Sequence, residues 1–310
     1  MRKTEEMIID TSLEKYFYVL WKSKYFIIVI TSLFALASIF YSLQMVDKYK
    51  SSALILVVDP SKNNSNSSIL ARFGGLASIA GISVPSQSGG DKSALAQETI
   101  RSRDFFNTLI KDHNILPELY AAEKYNKNTN KISYSKAYNA EKESWNVSDK
   151  NLSLKPTNQQ AYLVYRSILN LGFNDKSGYM SLSIIHVSPE FANKLIRMIV
   201  DQTNSIMRSN DLKESEIALN YLTDLISKGG AYKEIKESLS NLIETQLEIQ
   251  MLVNVRQDNY LLKYIDQPYS PEDKFSPRRS LYVIMSTILG ALLSVLFILF
   301  RDINKASKLE

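Results

Sequence analysis

His113 and His186 are the only imidazoles in the 310-residue chain, and it contains no cysteine. A multi-histidine or thiolate metal site cannot be built from this set, and neither can a thiol nucleophile or a disulfide framework. No Gly-x-Ser-x-Gly elbow occurs. Asp and Glu number 32, and two carboxylates suffice for glycoside hydrolysis, but none stands in a distinctive frame. Residues 73–90, FGGLASIAGISVPSQSGG, hold five of the ten glycines. A phosphate loop needs Lys-Ser/Thr after its last glycine, whereas Ile82 and Ser83 follow Gly81, so this stretch reads as a partly apolar loop. Residues 117–157 are rich in Tyr, Lys and Asn. Aromatic faces of this kind stack on sugar rings, but tyrosines tucked onto the core are the expected reading. The expectation is a protein without catalysis, cofactor or metal. With a formal net charge of +5 and no dense basic patch, nucleic acid is not an expected partner.

The apolar residues concentrate in two windows. Residues 25–43 (YFIIVITSLFALASIFYSL) and 281–300 (LYVIMSTILGALLSVLFILF) each lack a charge and match a bilayer core of roughly 30 Å at about 1.5 Å per helical residue. The first run exceeds a signal-peptide core, and no small-x-small cleavage site follows it. Two transmembrane helices are expected. Lys15, Lys22 and Lys24 on one tail, with Arg301, Lys305 and Lys308 on the other, place both tails in the cytoplasm. The division follows: cytoplasmic tail 1–24, transmembrane helix 25–43, periplasmic domain 44–280, transmembrane helix 281–300, cytoplasmic tail 301–310.

Along the chain, residues 7–24 read as a short amphipathic lead-in helix. Tyr49 to Val58 is β-rich and is expected to be a strand, followed by a polar loop at 61–68. Helices are expected over 94–109 and 159–169, a strand over 178–187, and irregular chain with weak helical pieces near 136–145 between them. Ser188-Pro189 opens a helix running to about Lys228, with Ser188 as cap. Phe191, Leu195, Ile199, Ile206, Ile217, Tyr221 and Leu225 keep roughly one phase on it. Arg208 to Glu216 is almost wholly polar, so the helix either breaks there or stands away from a core. Gly229-Gly230 signals a reversal. A second helix runs from Tyr232 to about Tyr260, with Leu239, Leu247 and Val253 along one side. Together they make a long helical hairpin, about 189–260, above a small mixed base. Leu261 to Asp266 is the last strand.

Between that strand and the second apolar window lies PYSPEDKFSPRR. Pro268, Pro271 and Pro277 lack a donor and restrict the residues before them, which excludes helix and leaves a stiff extended segment. Within the window, Ser286, Gly290 and Ser294 recur every four residues. They share one helix face and admit close approach of another helix, in the same subunit, a neighbour or a partner protein.

These residues carry a family resemblance. Wzz-type chain length determinants, the polysaccharide co-polymerases of the bacterial inner membrane, share the pattern P-x2-P-x4-S-P-K/R-x11-G-x3-G. Pro268, Pro271, Ser276, Pro277, Arg278 and Gly290 match it, and Ser294 replaces the final glycine with another small residue. LEKYFYVLWKSKYFII, QETIRSRDFF and SPEFANKLI resemble the family elsewhere in the chain. The resemblance implies an α+β membrane protein in which two transmembrane helices flank a periplasmic domain, itself a mixed α/β base with a long extended helical hairpin. It also implies a ring-like homo-oligomer without enzymatic activity. Such a protein sets the modal length of O-antigen or a related surface polysaccharide, with a Wzy-type polymerase and lipid-linked polysaccharide as partners. An export adaptor of the same superfamily, serving capsule or exopolysaccharide, is the alternative. A related branch carries a kinase domain after the second span, which is not expected of a chain ending ten residues past Phe300. The short tails likewise disfavour a two-span sensor.

Overall fold

The computed structural model describes residues 18–58, 89–147, 152–174, 176–227, 233–255 and 259–306. The expected loop at 61–68, the reversal at Gly229-Gly230 and most of the lead-in helix lie outside the described residues, as does the loop expected over 73–90 except for its last two residues, Gly89 and Gly90, which open a helix instead. The chain forms two compact units. One combines Met1–Asp47 with Phe275–Glu310, and the other is Lys48–Lys274.

The larger unit is built on a four-stranded antiparallel sheet. Its strands are β1 (Tyr49–Val57), β6 (Leu169–Asn174), β7 (Tyr179–His186) and β8 (Leu262–Asp266), in the order β6-β7-β1-β8. Strand β1 forms because its residues alternate. Tyr49, Ser51, Ala53 and Ile55 are buried, and their neighbours are half-buried. The register sets Ala53 opposite Leu182 and Ile55 opposite Met180, which gathers the buried side chains on one face. Leu195, Ile196 and Ile199 belong to the same core. They lie on the long helix α5 (Pro189–Ser227, 39 residues). Its start follows from sequence: Pro189 needs no donor partner, and the Phe191 N–H donates to Ser188 Oγ at 3.2 Å.

Two helices, α2 (Gly89–Arg101) and α3 (Arg103–His113), stand where one was expected. Ser102 is extended, and its Oγ accepts the Phe105 N–H at 3.1 Å, so the side chain caps a new helix. The break aims Phe105, Phe106 and Leu109 into the core. Helix α4 (Asn158–Ile168) opens with a Thr157–Gln160 capping box.

The expectation of irregular chain with helical pieces near 136–145 is wrong. After a π-turn at Pro117–Ala121 come two ribbons, β2 (Ala122–Asn126) with β3 (Lys131–Tyr134), and β4 (Tyr138–Asn139) with β5 (Ser144–Trp145). Both turn on one device. The last residue of the first strand is an asparagine, and its side-chain carbonyl accepts backbone N–H groups two and three residues on. Asn126 takes those of Asn128 and Thr129, and Asn139 those of Glu141 and Lys142. Four residues after each asparagine the chain turns left-handed, at Asn130 (φ 51°) and Glu143 (φ 48°). The β6–β7 hairpin repeats the pattern from Asn174 to Gly178 (φ 71°). Strand β6 itself was not expected.

Helix α5 runs unbroken through its polar stretch and meets α6 (Lys233–Val255). Asp211, within that stretch, is fixed by Lys92 Nζ at 2.8 Å and the Tyr260 hydroxyl at 2.6 Å. Asn204 is buried on α5 and pairs with backbone. Its Oδ1 accepts the N–H groups of Leu261 (3.0 Å) and Leu262 (2.7 Å), and its Nδ2 donates to the Leu262 carbonyl at 3.0 Å. One amide thus anchors the returning chain at the start of β8. Beyond this point the expected phase fails. Ser215, Ala218 and Leu222 turn inward, whereas Ile217 (61% exposed), Tyr221 and Leu225 face outward. Leu247 on α6, also expected inward, is exposed with Met251 and Val255. A helix of about 3.6 residues per turn drifts against a seven-residue repeat, and one neighbouring helix covers only a narrow stripe.

The smaller unit holds α1 (Lys24–Gln44, 21 residues) and α7 (Arg279–Ala306, 28 residues), both long and apolar enough to cross a membrane.

Candidate functional site: a proline strap and a paired helix face

No metal-binding group of three or more His, Asp or Glu side chains forms among the described residues. His186 is structural. Its Nδ1 accepts the Ser188 N–H at 3.1 Å, and its ring lies 4.6 Å from that of Phe191. Burial pushes its pKa down to about 4, so it is neutral near pH 7. Burial likewise pushes up the pKa of the Tyr165 hydroxyl, which donates to the Ile100 carbonyl at 2.9 Å.

The proline signature divides between the two units. In the larger one, residues 267–272 carry on from β8 without a strand partner. An extended segment outside a ladder needs donors for its carbonyls, and prolines supply none. Side chains of three other elements provide them. Ser51 Oγ on β1 donates to the Tyr269 carbonyl at 2.6 Å, and Lys127 Nζ after β2 donates to that of Glu272 at 3.0 Å. From α5, Arg197 Nη2 donates to the Pro268 carbonyl at 3.2 Å, and Asn193 Nδ2 reaches Ser270 Oγ at 3.3 Å. Arg197 Nε also donates to Asn193 Oδ1 at 3.2 Å, which orients the pair. Pro268 is buried and Pro271 half-buried. The segment is a strap laced to the sheet and the long helix.

In the smaller unit, Ser276, Pro277 and Arg278 precede α7. The Ser276–Pro277 bond is cis, and Pro277 is buried. Arg278 is exposed. The next residue, Arg279, bonds across the helix pair through Nη2, to Asp47 Oδ1 at 2.9 Å and to the Met45 carbonyl at 3.4 Å. Lower on the same face, Ser286 Oγ donates to the Phe34 carbonyl at 3.2 Å. Gly290 lies against Phe34 itself, and a Cβ placed there would come within 2.7 Å of Phe34 Cβ. Ser294 is buried, with its hydroxyl bonded back to the Ala291 carbonyl at 2.7 Å. Phe297 stacks on Phe26 with centroids 5.6 Å apart. The contacts from Phe26 to Asp47 run antiparallel to those from Phe297 to Arg279. Among the described residues this face of α7 packs against α1 of the same chain. Phe34 and Arg279 were missed as members of the site. Arg279 adjoins the signature, whereas nothing local marks Phe34 among the apolar residues of its window.

The family described as Wzz, chain length determinant protein, matches residues 9–113. That match covers about a third of this chain. The Wzz match spans α1, β1, α2 and α3, and the proline signature lies beyond it. Two solved structures are similar. One is a full-length bacterial polysaccharide co-polymerase, with 17% identity, covering 94% of this chain and 97% of that one at a TM-score of 0.36. The other is a fragment of WzzB, polysaccharide co-polymerase from Salmonella Typhimurium, with 11% identity, covering 74% of this chain and 100% of that one at a TM-score of 0.27. No curated protein matches the chain.

Proposed function

We propose that the chain is a Wzz-type polysaccharide co-polymerase that regulates the modal length of O-antigen or a related surface polysaccharide. It acts without catalysis on the product of a Wzy-type polymerase. The Wzz match over 9–113 carries this reading. The proline signature at Pro268, Pro271, Ser276, Pro277 and Arg278 supports it. In this reading α1 and α7 cross the inner membrane, residues 44–280 face the periplasm, and both tails are cytoplasmic. The protein assembles as a ring-like homo-oligomer. The outward rows Ile217, Tyr221, Leu225 and Leu247, Met251, Val255 are the kind of apolar surface that another copy covers.

Deleting the gene and resolving surface polysaccharides on a gel tests the function. The modal band is expected to spread or shift, and to return on complementation. A distribution unchanged for every surface polysaccharide overturns the reading. Topology has its own test, because a chain without cysteine accepts single reporters. A cysteine placed at exposed Lys263 is expected to react with a membrane-impermeant maleimide in spheroplasts, whereas one placed at position 3 is not.

A further inference from the structure

The two ribbons after the π-turn carry a row of aromatic rings. The Tyr134 and Tyr138 centroids are 5.3 Å apart, those of Tyr138 and Trp145 5.2 Å, and those of Trp145 and Tyr120 6.5 Å. The π-turn and strands β3, β4 and β5 bring these four residues together from 26 positions of sequence. Their ring bodies are partly sheltered. Tyr134, Tyr138 and Trp145 are half-buried, Trp145 packs against the core, and Tyr120 is 37% exposed.

Tyrosine tips among the described residues of this unit are of two kinds, paired and open, and Tyr49, Tyr179 and Tyr269 are open as well. Tyr162, Tyr165 and Tyr260 each donate to a carbonyl or a carboxylate. Among the described residues, the hydroxyls of Tyr120, Tyr134 and Tyr138 and the indole N–H of Trp145 have no hydrogen-bond partner, and none is sealed from solvent. What sets this row apart is that four open tips stand side by side on rings 5.2–6.5 Å apart. The Glu118 carboxylate lies close enough to Tyr134 and Tyr138 to interact with both. The ledge therefore offers apolar ring surface, donors and an acceptor. That combination suits a ligand with alternating C–H faces and hydroxyl groups, which is a carbohydrate.

We propose that Tyr120, Tyr134, Tyr138 and Trp145 form a glycan-contacting ledge that binds a segment of the polysaccharide. The proposal rests on the polysaccharide reading above and gives it a location. Sugar rings stack on the exposed ring surface, and their hydroxyls exchange hydrogen bonds with the open tips and with Glu118.

The chain has two tryptophans, so Trp21→Phe leaves Trp145 as the sole indole reporter. The full chain with this change is titrated in detergent with surface polysaccharide of the producing strain, freed of lipid by mild acid. A saturable change in Trp145 emission is expected. Tyr134→Phe and Tyr138→Phe keep the rings and remove the tips, and each is expected to weaken binding about fivefold with the melting temperature unchanged. Tyr120→Ala is expected to weaken it about tenfold. No emission change together with no retention on immobilised polysaccharide overturns the ledge. So does binding that the three substitutions leave intact. A photo-crosslinker at position 120 that captures a protein in cells instead of glycan also overturns it. These failures are separable from failure of the proposed function, which is read from the gel of the deletion strain.

Discussion

Gly290 faces Phe34 so closely that a methyl group on the glycine would lie 2.7 Å from Phe34 Cβ and 2.9 Å from Cγ. The nearest obstacle is the first side-chain atom of Phe34, which every residue except glycine shares. Gly290→Ala must therefore push the helices apart, at a cost of about 1–3 kcal/mol. Phe34→Ala in the same chain leaves that Cβ in place and should not restore stability, whereas Phe34→Gly should relieve the clash. Thermal melts in detergent across the two double-mutant cycles check this. A favourable coupling of about 1 kcal/mol or more is expected only with Phe34→Gly.

Asn204 satisfies two N–H groups and one carbonyl at the start of β8. Asn204→Leu leaves all three without their partner in a buried place, so a loss of about 3 kcal/mol is expected in urea unfolding. Hydrogen exchange should quicken first at the amides of Leu261 and Leu262.

His186 has its pKa lowered by burial to about 4, against about 6.5 for an unfolded chain. Between those values the unfolded state binds a proton that the folded state refuses. Its contribution is therefore full above about pH 6.5, declines as the pH falls, and levels off below about pH 4. The total is about 3 kcal/mol. His186→Gln keeps an acceptor for Ser188 and does not titrate. Urea midpoints for the two proteins should diverge in their pH slopes between pH 6.5 and pH 4 and run parallel above it.

Arg197 and Ser51 hold the proline strap by its carbonyls. Arg197→Met with Ser51→Ala removes both donors while keeping most of the packing volume. Trypsin cleavage after Lys274 is expected to accelerate about fivefold or more, as local opening becomes easier by about 1 kcal/mol. The overall melting temperature should fall less than in Asn204→Leu.

The legible parts of the sequence were those whose signal is local. Apolar runs gave both long helices of the smaller unit, Ser188-Pro189 gave the start of α5, and the prolines gave an extended strap. The ribbons were missed although their signal is also local. An asparagine followed four places later by Asn or Gly, residues that readily turn left-handed, marks the hairpins at Asn126 and Asn174, and the asparagine alone marks the one at Asn139. At Glu143 nothing in the residue type announces that turn. Phe34 was illegible for a different reason, since pairing between helices 256 positions apart is a tertiary fact. The outward turn of Ile217, Tyr221 and Leu225 was hidden as well. Apolar spacing shows that a face exists but not which neighbour covers it.

The central claim is that this chain sets polymer length without making or breaking a bond itself. The most direct measurement reconstitutes the cognate polymerase in vesicles with lipid-linked repeat units and compares product lengths with and without the purified chain. The account predicts a broad distribution from the polymerase alone and a defined modal length once the chain is added. The same length distribution in both reactions would contradict it.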